Sequence, residues 1–177
     1  NEIEKKSSVS LINNIIKQRS IKREEEINEI KAALKITNLI HLKAMTASKP
    51  GKYEYEIVAE MESIIQSNNV KLAYPIIFTK NGQILHNSAY HNKILDGDLL
   101  LNDSGANSLL HYASDITRTF PANGKFSNQQ KEIYLIVKEM QETVIKQLKP
   151  GVSFKEMHKL SAYIGIKRLK EIGLLKG

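Results

Sequence analysis

Apolar residues recur at helical spacing in the first and last thirds of the chain. One stripe runs from Ile27 to Met45, and a second helix is predicted from Tyr53 to Gln66, because in both segments the apolar positions fall three or four residues apart. The Lys49-Pro50-Gly51 triplet stops the first of these helices, since proline cannot continue it. Near the end of the chain, Ser127 and Ser153 each precede a Gln or Glu by three residues, which predicts capping boxes and two further helices.

The middle of the chain instead alternates apolar and polar residues with a period of two. This alternation is typical of strands that have one buried face. The segments predicted as strands are Val70–Thr79, Ile84–His86, Leu99–Asp103 and Ala113–Thr117. A helix pair, a group of short strands and a second helix pair together indicate an α+β fold.

Two aspartates in these strands are the strongest candidates for chemistry. The alternation places Asp103 at the end of one apolar run and Asp115 within the next. Gly105, Asn107 and Ser108 favour a turn between the two strands, which makes the strands antiparallel. Both carboxylates can therefore face the same side of the sheet.

A pair of neighbouring carboxylates requires a compensating partner. Two carboxylates within about 4 Å of each other repel by roughly 4 kcal/mol at an effective dielectric constant of 20. A protein that brings them together either shares a proton between them or places a cation there. Oxygen ligands suit hard ions such as Mn²⁺ and Mg²⁺, and the chain contains no Cys for a softer metal. The pair indicates a divalent-cation site, with capping of a strand end or turn by each Asp as the alternative.

The segment YASDITRTFP at Tyr112–Pro121 resembles the metal-site strand of the aminopeptidase P and prolidase family, which belongs to the pita-bread metallopeptidases. Four other segments match the family in the same order and at similar spacing. They are KPGKYEYE at Lys49–Glu56, ILH at Ile84–His86, DGDLLLNDSGA at Asp96–Ala106 and NGKFSNQQKEIY at Asn123–Tyr134. Because several motifs recur together, the resemblance is specific, and it covers nearly all of the chain beyond Ser20.

The resemblance implies a pita-bread (creatinase/aminopeptidase-like) fold, in which a helix–helix–sheet half is repeated about a pseudo-twofold axis. This chain would supply the first half and the opening helices of the second half. Ser20 is predicted as the N-cap of the first core helix, so residues 1–20 are interpreted as a linker or the tail of a preceding segment. Residues 21–177 are interpreted as an incomplete pita-bread catalytic domain.

In the resembled family, two Asp, one His and two Glu hold a dinuclear metal centre. Asp103 and Asp115 match the two Asp positions, and the remaining three ligands lie beyond this chain. His86 matches the family histidine that stabilises developing charge beside the scissile bond, so it is predicted to be catalytic and substrate-binding. Tyr74 matches a strand tyrosine near the substrate pocket and is a candidate substrate-binding residue. The implied cofactors are two divalent metal ions, with manganese expected.

The implied function is that of a metal-dependent Xaa-Pro aminopeptidase. Such an enzyme releases the N-terminal residue of a peptide with proline in second position, through a hydroxide held by the two metal ions. Prolidase acting on Xaa-Pro dipeptides is one alternative, and a non-catalytic pita-bread module that binds peptides or proteins is another.

The chain departs from the family pattern at three places near the site. Asn87 stands where an aromatic residue is usual, Asn107 where an acidic residue is common, and one extra residue lies between Asp103 and Asp115. A bulge in the turn is expected to absorb the extra residue and to preserve both carboxylate orientations. These departures affect the expected substrate preference more than the fold.

Composition narrows the class of partner. The net charge of +7 comes from 26 basic and 19 acidic residues. The basic residues lie next to glutamates, as in Lys22–Glu26, and are not interleaved with aromatic residues. We therefore expect a peptide substrate and no nucleic-acid partner.

No apolar run is long enough to span a membrane, and a cytoplasmic location is the default. An exposed sheet edge favours a homo-oligomer. His41, alone on the inner face of a helix, is expected to be a packed histidine rather than a ligand.

Overall fold

The computed structural model describes residues 8–87 and 89–176, so the part of the predicted tail before Ser8 lies outside the described residues. The chain divides into two compact units, one up to Asn123 and one from Gly124 onward. The described residues of the first unit form α1 (Val9–Ser20), α2 (Glu24–Ala47), α3 (Glu54–Ser67), β1 (Lys71–Leu72), β2 (Ile77–Thr79), β3 (Leu99–Ser104), β4 (Ala106–Asn107) and β5 (Ile116–Pro121). Those of the second unit form α4 (Asn128–Gln147) and α5 (Phe154–Glu171).

The start of α2 differs from its prediction because a different residue caps it. Ser20 is the last residue of α1, where its hydroxyl donates to the Ile16 carbonyl at 2.7 Å. α2 begins after Arg23, whose backbone N–H is accepted by the Glu26 carboxylate at 2.8 Å while Arg23 itself stays extended. The prediction of Ser20 as the N-cap was therefore wrong. α1 buries none of its side chains.

The hydrophobic core lies between α2, α3 and one face of the sheet. Both helices cover their predicted segments: α2 ends before Lys49-Pro50-Gly51, and α3 begins after Tyr53, whose N–H is accepted by Glu56 at 2.7 Å. The fully buried apolar side chains include Ile40, Ala44, Ile57, Met61, Phe78, Ile94, Leu100 and Ala106. Burying each of the larger ones contributes about 1.5–3 kcal/mol.

Polar residues share the inner face with the core. His41 is 4% exposed, and the side-chain amide of Asn102 lies 3.1 Å from its Nδ1 atom. Burial lowers the pKa of His41, which keeps the imidazole neutral at physiological pH. His41 is therefore a packed, hydrogen-bonded histidine, as expected.

The three-stranded sheet has the order β2–β3–β5, and every pair in it is antiparallel. β3 and β5 pair along their whole lengths, with Asp103 opposite Thr117 and Ser104 opposite Ile116. The predicted antiparallel arrangement is confirmed, but the second strand was predicted over Ala113–Thr117 and begins only at Ile116, so Asp115 lies just before it. β1 and β4 form a separate two-stranded ladder.

Two other strand predictions were wrong. Val70–Thr79 forms two short strands, β1 and β2, because Pro75 between them has no backbone N–H to donate to a ladder. Ile84–His86 belongs to no strand and lies in a loop, where His86 has a φ of 57° that an extended strand cannot accommodate. Tyr74 and His86 therefore lie on irregular backbone rather than on strands.

The turn after Asn107 contains the extra residue. The Ser108 N–H donates to the Tyr112 carbonyl at 2.9 Å, and His111 has a φ of 65°, as in three-residue hairpin loops. Asn107 pairs with Ala113 just before the turn, in the same register as the β3–β5 ladder. The three-residue loop therefore leaves the register unbroken between the β3–β5 ladder and the turn.

The second unit is a pair of helices. Ser127 caps α4 together with Gln130, and Ser153 caps α5 together with Glu156. Both predicted capping boxes are confirmed. Across the described part of the chain, no helix combines the length and apolar character needed to cross a membrane.

Candidate metal centre

An open cleft on the face of the sheet opposite α2 brings the predicted site residues together. Its volume is about 520 Å³. The lining residues are Tyr74, Pro75, Ile77, His86, Asn87, Asp103 and Asp115. All four residues singled out from the sequence therefore share one cleft, although only Asp103 lies in a strand and the other three lie on irregular backbone.

Asp103 and Asp115 reach the cleft from β3 and from the residue just before β5. Asp103 lies in β3 between Ile77 of β2 and Thr117 of β5, and Asp115 immediately precedes β5. Because side chains alternate along a strand, Asp115 shares the face of Thr117 and hence that of Asp103. Asp103 is half-buried and Asp115 is exposed. Both carboxylates are therefore open to the cleft and face the same side.

Tyr74 joins the two carboxylates. Its hydroxyl lies 2.7 Å from Asp103 Oδ1 and 2.8 Å from Asp115 Oδ1. The phenol has a single hydrogen, so the two acceptors share one donor. Burial, the hydrogen bonds to both carboxylates and their negative charges raise the pKa of Tyr74 well above its ordinary value. Tyr74 stays protonated and keeps both carboxylates within reach of one atom.

We predict that Tyr74 titrates only at strongly alkaline pH. Burial and two carboxylates oppose its ionisation in the folded chain but not in the unfolded chain. The resulting stabilisation is fully present below the ordinary tyrosine pKa of about 10 and is lost as the pH rises above it. The difference in phenolate absorbance between wild type and Tyr74→Phe should have its midpoint above about pH 10 in buffer and near it in denaturant. Equal midpoints in the two conditions would contradict the prediction.

His86 enters the cleft from the loop between β2 and β3. Its side chain is exposed, so the imidazole is accessible to a ligand. The neighbouring Asn87 side-chain amide donates to the Phe78 carbonyl at 3.2 Å and to the Ala89 carbonyl at 3.1 Å. Asn87 thus connects the His86 loop to β2.

Glu54 holds the two ends of the same loop by hydrogen bonds. It was not singled out from the sequence. It is fully buried, and its two oxygens accept the Lys80 backbone N–H and the Asn92 side-chain amide, each at 2.9 Å. Lys80 and Asn92 stand on either side of His86 in the chain. In the sequence, Glu54 has the pattern of an acidic residue in the first turn of a helix, which the helix dipole alone explains.

The residues present fit a hard divalent cation but do not complete its coordination. Asp103 and Asp115 are both oxygen donors, which Mn²⁺ and Mg²⁺ prefer. Within residues 8–87 and 89–176, no group of three or more His, Cys, Asp or Glu side chains converges. The Tyr74 proton offsets part of the repulsion between the two carboxylates, and a cation would offset more of it.

These elements and their cleft define a metallopeptidase domain, and the chain belongs to metallopeptidase family M24, whose sequence profile matches residues 28–167. The Xaa-Pro aminopeptidase of Escherichia coli (strain K12) is 38% identical over 164 residues, covering 90% of this chain and 36% of that protein. The Xaa-Pro dipeptidase of Rattus norvegicus is 35% identical over 175 residues, covering 92% of this chain and 35% of that protein. The chain spans about a third of the length of these curated relatives.

Solved structures agree with the fold. Zinc-substituted aminopeptidase P from Escherichia coli in complex with product matches with a TM-score of 0.83 at 38% sequence identity, covering 88% of this chain and 36% of that chain. The same enzyme with the inhibitor Pro-Leu gives the same TM-score, identity and coverage. The predicted α+β, pita-bread fold and the resemblance to the Xaa-Pro aminopeptidase and prolidase family are therefore confirmed.

Proposed function

We propose that this chain carries part of the active site of a metal-dependent aminopeptidase that releases the N-terminal residue from Xaa-Pro peptides. The observation that supports it is the pair of carboxylates, Asp103 and Asp115, held together by Tyr74 in a cleft that also contains His86. Relatives named Xaa-Pro aminopeptidase and Xaa-Pro dipeptidase support this substrate class. On this proposal, residues 21–177 belong to the catalytic domain, and residues 1–20 are a linker or tail.

Asp103 and Asp115 would hold two divalent ions, which we propose to be manganese. One His and two Glu from outside this chain would complete the ligand set, in keeping with the absence of a third ligand among the described residues. When bound, such ions would polarise the scissile carbonyl and ionise a water molecule at neutral pH. The contribution of this chain is the spacing and orientation of two of the carboxylates.

Tyr74 and His86 have different roles in this proposal. Tyr74 orients the two carboxylates through its shared proton, and from the cleft it would also contact a bound peptide. His86 would donate a hydrogen bond to the substrate where negative charge develops during cleavage. The side chains of Pro75 and Ile77 add an apolar wall to the cleft, which suits the nonpolar part of a peptide.

Prolidase activity on Xaa-Pro dipeptides is the second candidate, because a rat Xaa-Pro dipeptidase is among the relatives. The two activities differ in whether the substrate continues beyond the proline. A metal-free binding module would have no use for two adjacent carboxylates, so Asp103 and Asp115 favour an enzyme.

The proposal is tested with the full-length gene product and matched peptides. We expect release of the first residue from an Xaa-Pro-Yaa tripeptide, loss of that activity with a chelator and its return with Mn²⁺. An Xaa-Ala-Yaa tripeptide is the substrate control, and the 177-residue chain alone, with its two carboxylate ligands, should be inactive. Preference for Xaa-Pro dipeptides would assign prolidase activity instead. A metal-loaded protein that cleaves none of these peptides would contradict both assignments.

A further inference from the structure

The paired carboxylates lie where the regular sheet ends. β3 ends at Ser104 and β5 begins at Ile116, so Asp103 is the last residue but one of its strand and Asp115 lies just outside the ladder. Asp115 is therefore held through its two chain neighbours, Ile116 in the ladder and Ser114, whose backbone N–H donates to the Ala106 carbonyl at 2.9 Å. Contacts on the buried side of the sheet supply an additional restraint.

Thr37 of α2 closes a buried hydrogen-bond ring with Ala106 and Ser114. The Ala106 N–H donates to Thr37 Oγ1 at 2.8 Å, and the Ser114 hydroxyl donates to the Ala106 carbonyl at 2.9 Å. The Thr37 and Ser114 hydroxyls are 2.6 Å apart, and because the Ser114 proton is already used, the Thr37 proton joins them. All three residues are buried, so water cannot replace a lost partner.

His41, one turn further along α2, holds the other strand from the same side. The Asn102 side-chain amide donates to His41 Nδ1 at 3.1 Å, and His41 Nε2 lies 3.3 Å from Ser104 Oγ. Asn102 and Ser104 are the two chain neighbours of Asp103. One helix therefore contacts both neighbours of the first carboxylate and, through Thr37, the residue that precedes the second.

We propose that Thr37 is a positioning residue that sets the separation of Asp103 and Asp115 for metal binding, an inference that rests on the function proposed above. Because side chains alternate, a backbone whose Ser114 side chain is held in the core directs Asp115 into the cleft. Loss of the Thr37 hydroxyl leaves Ser114 bonded to Ala106 alone, so the segment that carries Asp115 is no longer tied to α2 and can shift relative to Asp103. Metal affinity depends on such supporting contacts, since they orient the ligands before the ion binds.

The test compares Mn²⁺ binding by isotope-labelled chains that differ at one hydroxyl. Mn²⁺ broadens nuclear resonances close to it, so the initial slope of broadening around Asp103 and Asp115 reports affinity even for weak binding. Thr37→Val, which keeps the side-chain shape, is expected to reduce this slope about tenfold. Thr37→Ser, which keeps the hydroxyl, should restore it. Thr46→Val is the matched control, because the exposed Thr46 hydroxyl bonds only to carbonyls of its own helix.

The possible outcomes separate the inference from the function on which it rests. A folded Thr37→Val chain with the wild-type slope would overturn the inference, even if its unfolding temperature falls, because Thr37 would then be purely structural. If Thr37→Val does not fold, Ser114→Ala removes the partner hydroxyl and carries the same expectation. Absence of localised broadening in the wild-type chain would instead contradict the proposed metal site.

Discussion

Asp115→Asn in the full-length gene product is expected to lower hydrolysis of an Xaa-Pro peptide by more than about 100-fold, the upper end of the loss seen when only a supporting partner of a ligand is removed. The amide keeps the size of the carboxylate but not its charge, so it holds a divalent ion far less well. Among the described residues no third His, Asp or Glu side chain converges on the pair, so none is placed to replace Asp115. Metal content after dialysis should fall together with the rate.

Two further variants distinguish the loss of a metal ligand from the loss of another charged or cleft residue. Asp96→Asn is the matched control, because Asp96 is exposed, lies outside the cleft and accepts a hydrogen bond from Asn123 at 2.8 Å. It should leave both rate and metal content unchanged. His86→Ala should lower the turnover rate while metal content is retained, since His86 is proposed to contact the substrate. An Asp115→Asn protein with normal metal content and normal activity would show that the site has been wrongly assigned.

Periodicity predicted that the two carboxylates share one face, whereas their assignment as metal ligands came from the resemblance to the family. Asp103 and Asp115 stand at matching positions of two alternating runs, and a period of two leaves little freedom about which face each side chain takes. The helices α2 and α3 were also predicted from their apolar periodicity, because a pattern that repeats over many residues indicates a helix more strongly than a short one. Tyr74 and His86 could be identified only by resemblance, since both lie on irregular backbone that has no repeating pattern.

The features that periodicity missed depend on single residues or on distant partners. Pro75 interrupts a segment that otherwise reads as one strand, and Arg23 rather than Ser20 caps α2 because Glu26 reaches back to it. The hydrogen bonds of Thr37 and Glu54 that hold the site residues could not be predicted for another reason. The partners of Thr37 and Glu54 lie 26 to 77 positions away in the chain, and only the folded sheet brings them into contact.

Gly105→Ala is expected to destabilise the chain by about 4 kcal/mol or more, which is exceptional for a single methyl group. A Cβ at this position would lie 1.8 Å from the carbonyl oxygen of Ser114 and 2.7 Å from its carbonyl carbon. Both are backbone atoms, so no side-chain rotation can relieve the overlap. A side chain is excluded here because the backbones of Gly105 and Ser114 lie very close together, between the end of β3 and the start of β4. Denaturant unfolding of wild type and variant measures the loss.

Gly82→Ala provides the control for this glycine, because the same methyl group would meet only the Leu101 side chain, at 3.4 Å. We expect that change to stay within about 1 kcal/mol of wild type, as is usual for substitutions away from tight contacts. In Gly105→Ala the two strands can relieve the overlap only by separating at Ser114, next to Asp115. The variant should therefore lose Mn²⁺-dependent broadening at the carboxylates even where it remains folded. Equal unfolding free energies for the two alanine variants would show that the backbones at Gly105 are less closely apposed than this structure has them.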